Sequence, residues 1–158
     1  MFLFSSCAIN SSDTPKNESA TSSAESSICH FSGFEVSIPS GWTGAGNTTK
    51  FYCHELHPST YLLVGDDSNP EEDIAKNLEL FESTKFYKNK IKFVYEIYDD
   101  EFVSGVLVNE RLERDLYFSG YYLKKPSAYI FCACETSEDK DFCLELVKNV
   151  YSSLYVLD

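Results

Sequence analysis

IKFVYEIYDDEFVSGVLVNERLERDLYFSGYYLKKPSAYIFCAC, running from Ile91 to Cys134, is the stretch whose reading decides the fold. Side chains alternate across a strand, so a period of two marks a strand with one buried face. Ile91, Phe93, Tyr95 and Ile97 keep that period, and Asp99-Asp100-Glu101 then ends the run. Short acidic side chains suit turns because they hydrogen-bond their own backbone. From Phe102 to Val108 both faces are apolar, as in a strand covered on two sides. After a reversal at Asn109-Glu110, alternation resumes from Arg111 to Leu123 with Leu112, Leu116, Phe118 and Tyr122 in phase. Gly120 interrupts that strand and predicts a bulge. Lys124 to Ser127 breaks the chain again, and Ala128, Ile130, Cys132 and Cys134 then alternate with Tyr129, Phe131 and Ala133. Four strands joined by short turns predict an antiparallel meander.

Upstream, His30 to Ile38 reads as one alternating strand, with Phe34, Val36 and Ile38 inward. Pro39-Ser40-Gly41-Trp42 is a turn, Thr43 to Lys50 an exposed loop, and Phe51–Leu56 and Thr60–Asp66 two short strands. The period then changes. Asn69 caps a helix, Pro70 fits its first position, and Glu71 and Glu72 suit the positive end of its dipole. Ile74, Leu78 and Phe81 recur at helical spacing, which predicts a helix from Asn69 to about Lys85. A second helix starts near Thr136-Ser-Glu-Asp139, with Cys143, Leu146, Val147, Val150 and Leu154 as its apolar stripe. The order is three strands, helix, four strands, helix. The fold class is α+β: an antiparallel sheet of about seven strands with helices packed on its faces, an α/β/α sandwich.

The chain carries 13 basic and 25 acidic residues, for a net charge of -12. That balance excludes nucleic acid as a partner, because neutralising phosphates takes clustered Lys and Arg. It also excludes electrostatic adhesion to anionic lipid. No run of eighteen apolar residues is present, so no helical membrane span is expected.

The amino end has a different character. Met1-Phe-Leu-Phe-Ser-Ser-Cys7 resembles the end of a bacterial lipoprotein signal, where an apolar stretch meets small residues and then the acylated cysteine. The basic region and most of the apolar region of such a signal are missing, which implies a start further upstream or a trimmed chain. Residues 8–28 are almost entirely small or polar and cannot bury enough surface to offset their ordering entropy. As a flexible coil of about twenty residues they would span roughly 25 Å. The expected organisation is therefore a truncated signal-like segment at 1–7, a disordered tether at 8–28 and a folded domain at 29–158. Cys7 is the expected lipid attachment site, on an exported chain held at the envelope membrane by its lipid alone.

Five cysteines remain if Cys7 is acylated, an odd number that leaves at least one unpaired. Export permits disulfides. Cys134 ends a strand and Cys143 sits in the first turns of the next helix, so these two are the candidate pair if a bond forms. Cys53 and Cys132 would meet if their strands are neighbours. The competing reading makes Cys132, Cys134 and Cys143 small buried hydrophobes.

Cys53-His54-Glu55-Leu56-His57 holds metal-ligating residue types, but on a strand end rather than the helix that His-Glu-x-x-His needs to put both imidazoles on one face. The acidic turns at Asp66-Asp67, Glu71-Glu72 and Asp99-Asp100-Glu101 lack a calcium-loop spacing and read as solvated turns. No nucleophile elbow or phosphate-cradling loop is present. No catalytic, cofactor-binding or metal-binding residue is therefore assigned. Tyr117, Tyr121 and Tyr129 are core if helices cover both sheet faces, and a sticky patch or groove if one face is bare.

The F-x-V-x-I-P-x-G-W run from Phe34 to Trp42, the capped middle helix and the closing helix ending Tyr151-Ser152-Ser153-Leu154 resemble the PsbP-like (Mog/PsbP) fold over about residues 28–158. The resemblance implies an antiparallel sheet between helical layers, no established catalytic site, and a role in binding partners or assisting assembly. No photosynthetic or nuclear-transport residue of that group maps onto a position here. The expected function is a non-catalytic, lipid-anchored binding or assembly module with a protein partner and no cofactor. The alternative is a small-molecule carrier or enzyme with a pocket between sheet and helix.

Overall fold

The computed structural model describes residues 26–44, 50–53, 56–82, 91–110 and 113–158, with the side chains of 52, 53 and 79–82 left outside that set. The proposed Cys7 attachment site, nearly all of the tether, and His54, Glu55 and Leu112 therefore lie outside the described residues.

The predicted meander forms as expected. β6 (Ile91–Tyr98), β7 (Phe102–Asn109), β8 (Arg114–Lys124) and β9 (Ser127–Cys134) pair antiparallel with their chain neighbours. Beyond β9 the sheet continues through β5 (His57–Gly65), β4 (Lys50–Cys53) and β3 (Thr43–Gly44), giving the order β3-β4-β5-β9-β8-β7-β6. The seven-stranded sheet thus uses a two-residue strand inside the stretch read as a loop.

The remaining strands form a second sheet. Its members are β1 (Ser27–Phe31), β2 (Phe34–Ile38) and β10 (Tyr155–Val156), in the order β1-β2-β10. The single strand expected over His30 to Ile38 is in fact a hairpin. It turns at Ser32-Gly33, where Gly33 has φ 85, a left-handed conformation that glycine adopts without a Cβ clash. β1 begins at Ser27, inside the segment read as tether.

The two helices cover opposite faces of the large sheet. α1 (Pro70–Glu82) starts where the capping residues place it: Asp73 N donates to Asn69 O at 3.2 Å, and Asn69 Nδ2 donates to Glu72 Oε2 at 2.9 Å. Its Ile74 and Leu78 pack on Leu63, Leu107, Phe118, Tyr129 and Phe131. α2 (Lys140–Ser152) follows a 3-10 turn at Ser137–Asp139. It buries Cys143, Leu146, Val147 and Val150 against Leu62, Ile130, Cys132 and Cys134 on the other face. The small sheet lies on that same face through Phe34, Val36 and Ile38. Ser37 N donates to Ser153 Oγ at 2.9 Å, which ties it to the end of α2. The Pro39-to-Trp42 turn closes with Trp42 N on Pro39 O at 3.3 Å and Gly41 at φ 83. That geometry needs glycine at its third position, and it drops Trp42 into the core.

The bulge expected at Gly120 is elsewhere. Gly120 pairs in unbroken register with Val103 and Phe131. The extra residue is Glu96 in β6, between Tyr95, which faces Gly105, and Ile97, which faces Ser104. Gly105 is what lets the bulge in: a Cβ there would lie 2.1 Å from Val94 O.

Candidate functional site

Among the described residues no strand pairs with the outer edge of β6. A sheet edge presents a row of backbone donors and acceptors open to a second chain. The bulge at Glu96 sits on this edge, and exposed apolar side chains flank it: Val94, Ile97 and Tyr98 are 46 %, 50 % and 69 % exposed. On the α1 side, Phe93, Tyr95 and Tyr98 form a run of rings, with centroids 6.0 Å apart for the first pair and 4.8 Å for the second. Tyr95 Oη donates to Glu71 Oε1 in the first turn of α1. Burial, then this carboxylate, pushes the Tyr95 hydroxyl well above its ordinary value.

The strip ends at an open pocket of about 400 Å³ between the start of α1 and the β6–β7 and β8–β9 turns. Asp67, Tyr98, Asp99, Asp100, Tyr122 and Lys124 are among its lining residues. The fold thus brings together two acidic turns that are remote in sequence. Asp67 Oδ1 accepts Asn69 N and Asp99 Oδ1 accepts Asp100 N, both at 2.8 Å, so these carboxylates shape their turns as expected. Among the described residues no group of His, Cys, Asp or Glu is arranged to hold a metal ion. Burial raises the Tyr122 hydroxyl in the pocket wall above its usual range.

The tyrosines divide. Tyr129 is fully buried, and its Oη donates to Asp73 Oδ2. Tyr121 is half-buried and stacks on Tyr151 with centroids 4.1 Å apart. Lys140 Nζ lies 4.5 Å over the Tyr117 ring. Of the His-Glu stretch, only His57 has a described side chain among its ligating types. Its ring stacks on Phe142 at 3.6 Å, which is a packing role.

The candidate Cys134–Cys143 bond is not formed here. Cys132, Cys134 and Cys143 are all free thiols, buried as the competing reading has them. Alternation along β9 presents both Cys132 and Cys134 to α2, and it is Cys132 Sγ that lies 2.8 Å from Cys143 Sγ. Cys134 Sγ donates instead to Thr136 O at 3.3 Å. Cys29 is disulfide-bonded.

One polar cluster had no sequence signal. Lys50 is buried in β4, where its Nζ donates to Asn77 O at 3.2 Å and lies 4.8 Å from the Tyr61 ring centre. Tyr61 Oη in turn donates to Glu135 Oε1 at 2.8 Å, and Arg114 pairs with the same carboxylate. Periodicity alone would have left Lys50 at a loop end.

No helix among the described residues is long and apolar enough to cross a membrane. No protein-family model matches this chain, and no curated protein matches it.

Proposed function

We propose that this chain is a non-catalytic binding or assembly module of the PsbP-like, α/β/α sandwich kind, which docks an extended, basic protein segment along the β6 edge. The observation that carries the reading is that edge, unpaired among the described residues, with Val94, Ile97 and Tyr98 exposed beside it. An added strand would take its affinity from main-chain hydrogen bonds and its specificity from alternate side chains. Glu96, Asp99 and Asp100 on this stretch and the chain's net charge of -12 favour a basic occupant. The signal-like run ending in Cys7 and the polar segment after it support a module hung from a membrane by lipid. The disulfide at Cys29 fits the oxidising surroundings of an exported chain. Intact-mass analysis of native membrane-extracted protein tests the anchor, and an unmodified Cys7 removes it.

Docking is tested by titrating isotope-labelled protein with a strand-forming Lys-rich peptide and a Glu-rich counterpart. The Lys-rich peptide should shift amide signals of 91–98, weaken with salt, and lose affinity at least tenfold in Ile97→Lys. Shifts confined to other strands, or equal binding of both peptides, defeat the reading. The pocket of about 400 Å³ supports a second reading, a carrier or enzyme for a small organic cation. Spermidine binding that Asp99→Asn weakens and Ile97→Lys leaves unchanged would favour it.

A further inference from the structure

Two thiols at 2.8 Å are closer than the roughly 3.5–4.0 Å at which even non-bonded carbon atoms rest, and sulfur is larger. Cys132 and Cys143 are held at that approach from both sides. Cys132 is fully buried in the middle of the sheet, and Cys143 is fixed by the apolar stripe of α2. We propose that Cys132 and Cys143 are an oxidation site, which a disulfide oxidant closes into a bond pinning α2 to β9. The oxidant is a small-molecule disulfide or the disulfide of a dithiol oxidoreductase.

The exchange balances in two steps. Cys143 loses its proton to solvent, and the small thiolate fraction so formed attacks one sulfur of the oxidant, forming a mixed disulfide and expelling one thiolate, which takes up a proton. Cys132 then loses its proton and attacks the Cys143 sulfur, forming the internal bond and expelling the second thiolate. Two protein thiols are oxidised and one oxidant disulfide is reduced to two thiols. A route exists: an open cavity of about 110 Å³ between the start of α2 and β6–β8 is lined by Glu96, Tyr117, Cys134, Lys140 and Cys143. Cys134 also contacts Cys143, but its thiol donates to Thr136 O at 3.3 Å, and the 2.8 Å approach is what selects Cys132 as the partner.

The test treats the full chain with oxidised glutathione at pH 8 and maps disulfides by mass spectrometry after alkylation and digestion. Oxidation should remove two free thiols, yield a crosslinked peptide joining Cys132 and Cys143, and raise the melting temperature by about 5–10 °C. Cys134→Ser should keep both the bond and the rise. Cys132→Ser should lose both. A wild-type bond mapped to Cys134–Cys143, or no fall in the number of titratable thiols after the oxidised protein is unfolded, overturns the proposal. If Cys132→Ser fails to fold, the wild-type map and Cys134→Ser still decide.

Discussion

Replacing Gly105 with alanine tests the geometry on which the β6 edge depends. The new Cβ would lie 2.1 Å from Val94 O, 2.9 Å from Tyr95 Cα and 3.0 Å from Glu96 N. All three atoms are backbone, so no rotamer change relieves the clash, and β6 must retreat by about 1 Å or more to restore ordinary contact. Overpacking of this kind costs about 1–3 kcal/mol. Retreat also loosens one or two β6–β7 hydrogen bonds at about 1 kcal/mol each. The expected total is about 3 kcal/mol, or about 6–12 °C in melting temperature for a chain of this size. Urea denaturation gives the global loss, and native-state hydrogen exchange should show the loss of protection concentrated in 91–98. Ser104→Ala, which adds no atom at the bulge, is the control. An unchanged urea midpoint with undiminished β6 protection in Gly105→Ala would refute the close approach and the bulge that creates it.

Three further outcomes follow from other contacts. Tyr129→Phe removes the hydroxyl that donates to Asp73 Oδ2 from a fully buried ring; the loss should be about 1.5–3 kcal/mol by urea denaturation, and a change below half a kcal/mol contradicts the bond. Asn69→Ala removes the side chain that reaches Glu72 at the start of α1, and should cost about 1 kcal/mol with faster amide exchange in the first helical turn. Alkaline pH should destabilise the reduced protein. Burial raises the Cys132 thiol above its ordinary value of 9.0, the Cys143 contact leads the rise at Cys134, and the Cys132 contact leads it at Cys143. Each thiol then holds its proton in the fold after the unfolded chain has released it. Stability is therefore intact below about pH 9 and falls above it, by about 1.4 kcal/mol per pH unit for each thiol. A urea midpoint that stays flat from pH 8 to 10.5 would contradict this, and Cys143→Ser should shallow the slope.

The meander was legible because Ile91 to Cys134 alternates almost without fault, and a one-residue slip would turn every core side chain to water. The start of α1 was equally legible, since Asn69 and Pro70 act through local hydrogen bonding and φ. The Ser32-Gly33 turn carried a signal that the apolar alternation around it obscured. Glycine positions were visible in strands, but the backbone that crowds each one was not. Gly120 and Gly105 look alike along the chain, and only the pairing of β6 with β7 sets the Glu96 bulge opposite Gly105. The pocket joins Asp67 to Asp99 and Asp100 through turns that no local pattern relates.

By itself the amino-acid order determined the strand and helix periods, the acidic charge, and the face of β9 that carries Cys132 and Cys134, because these depend on nearest neighbours along the chain. Tertiary structure decided which thiol lies nearest Cys143, which strands leave the large sheet for the small one, and that β6 ends the large sheet with an edge unpaired among the described residues. Those outcomes are set by how helices seat and strands order across the sheet, distances through space that spacing along the chain does not encode.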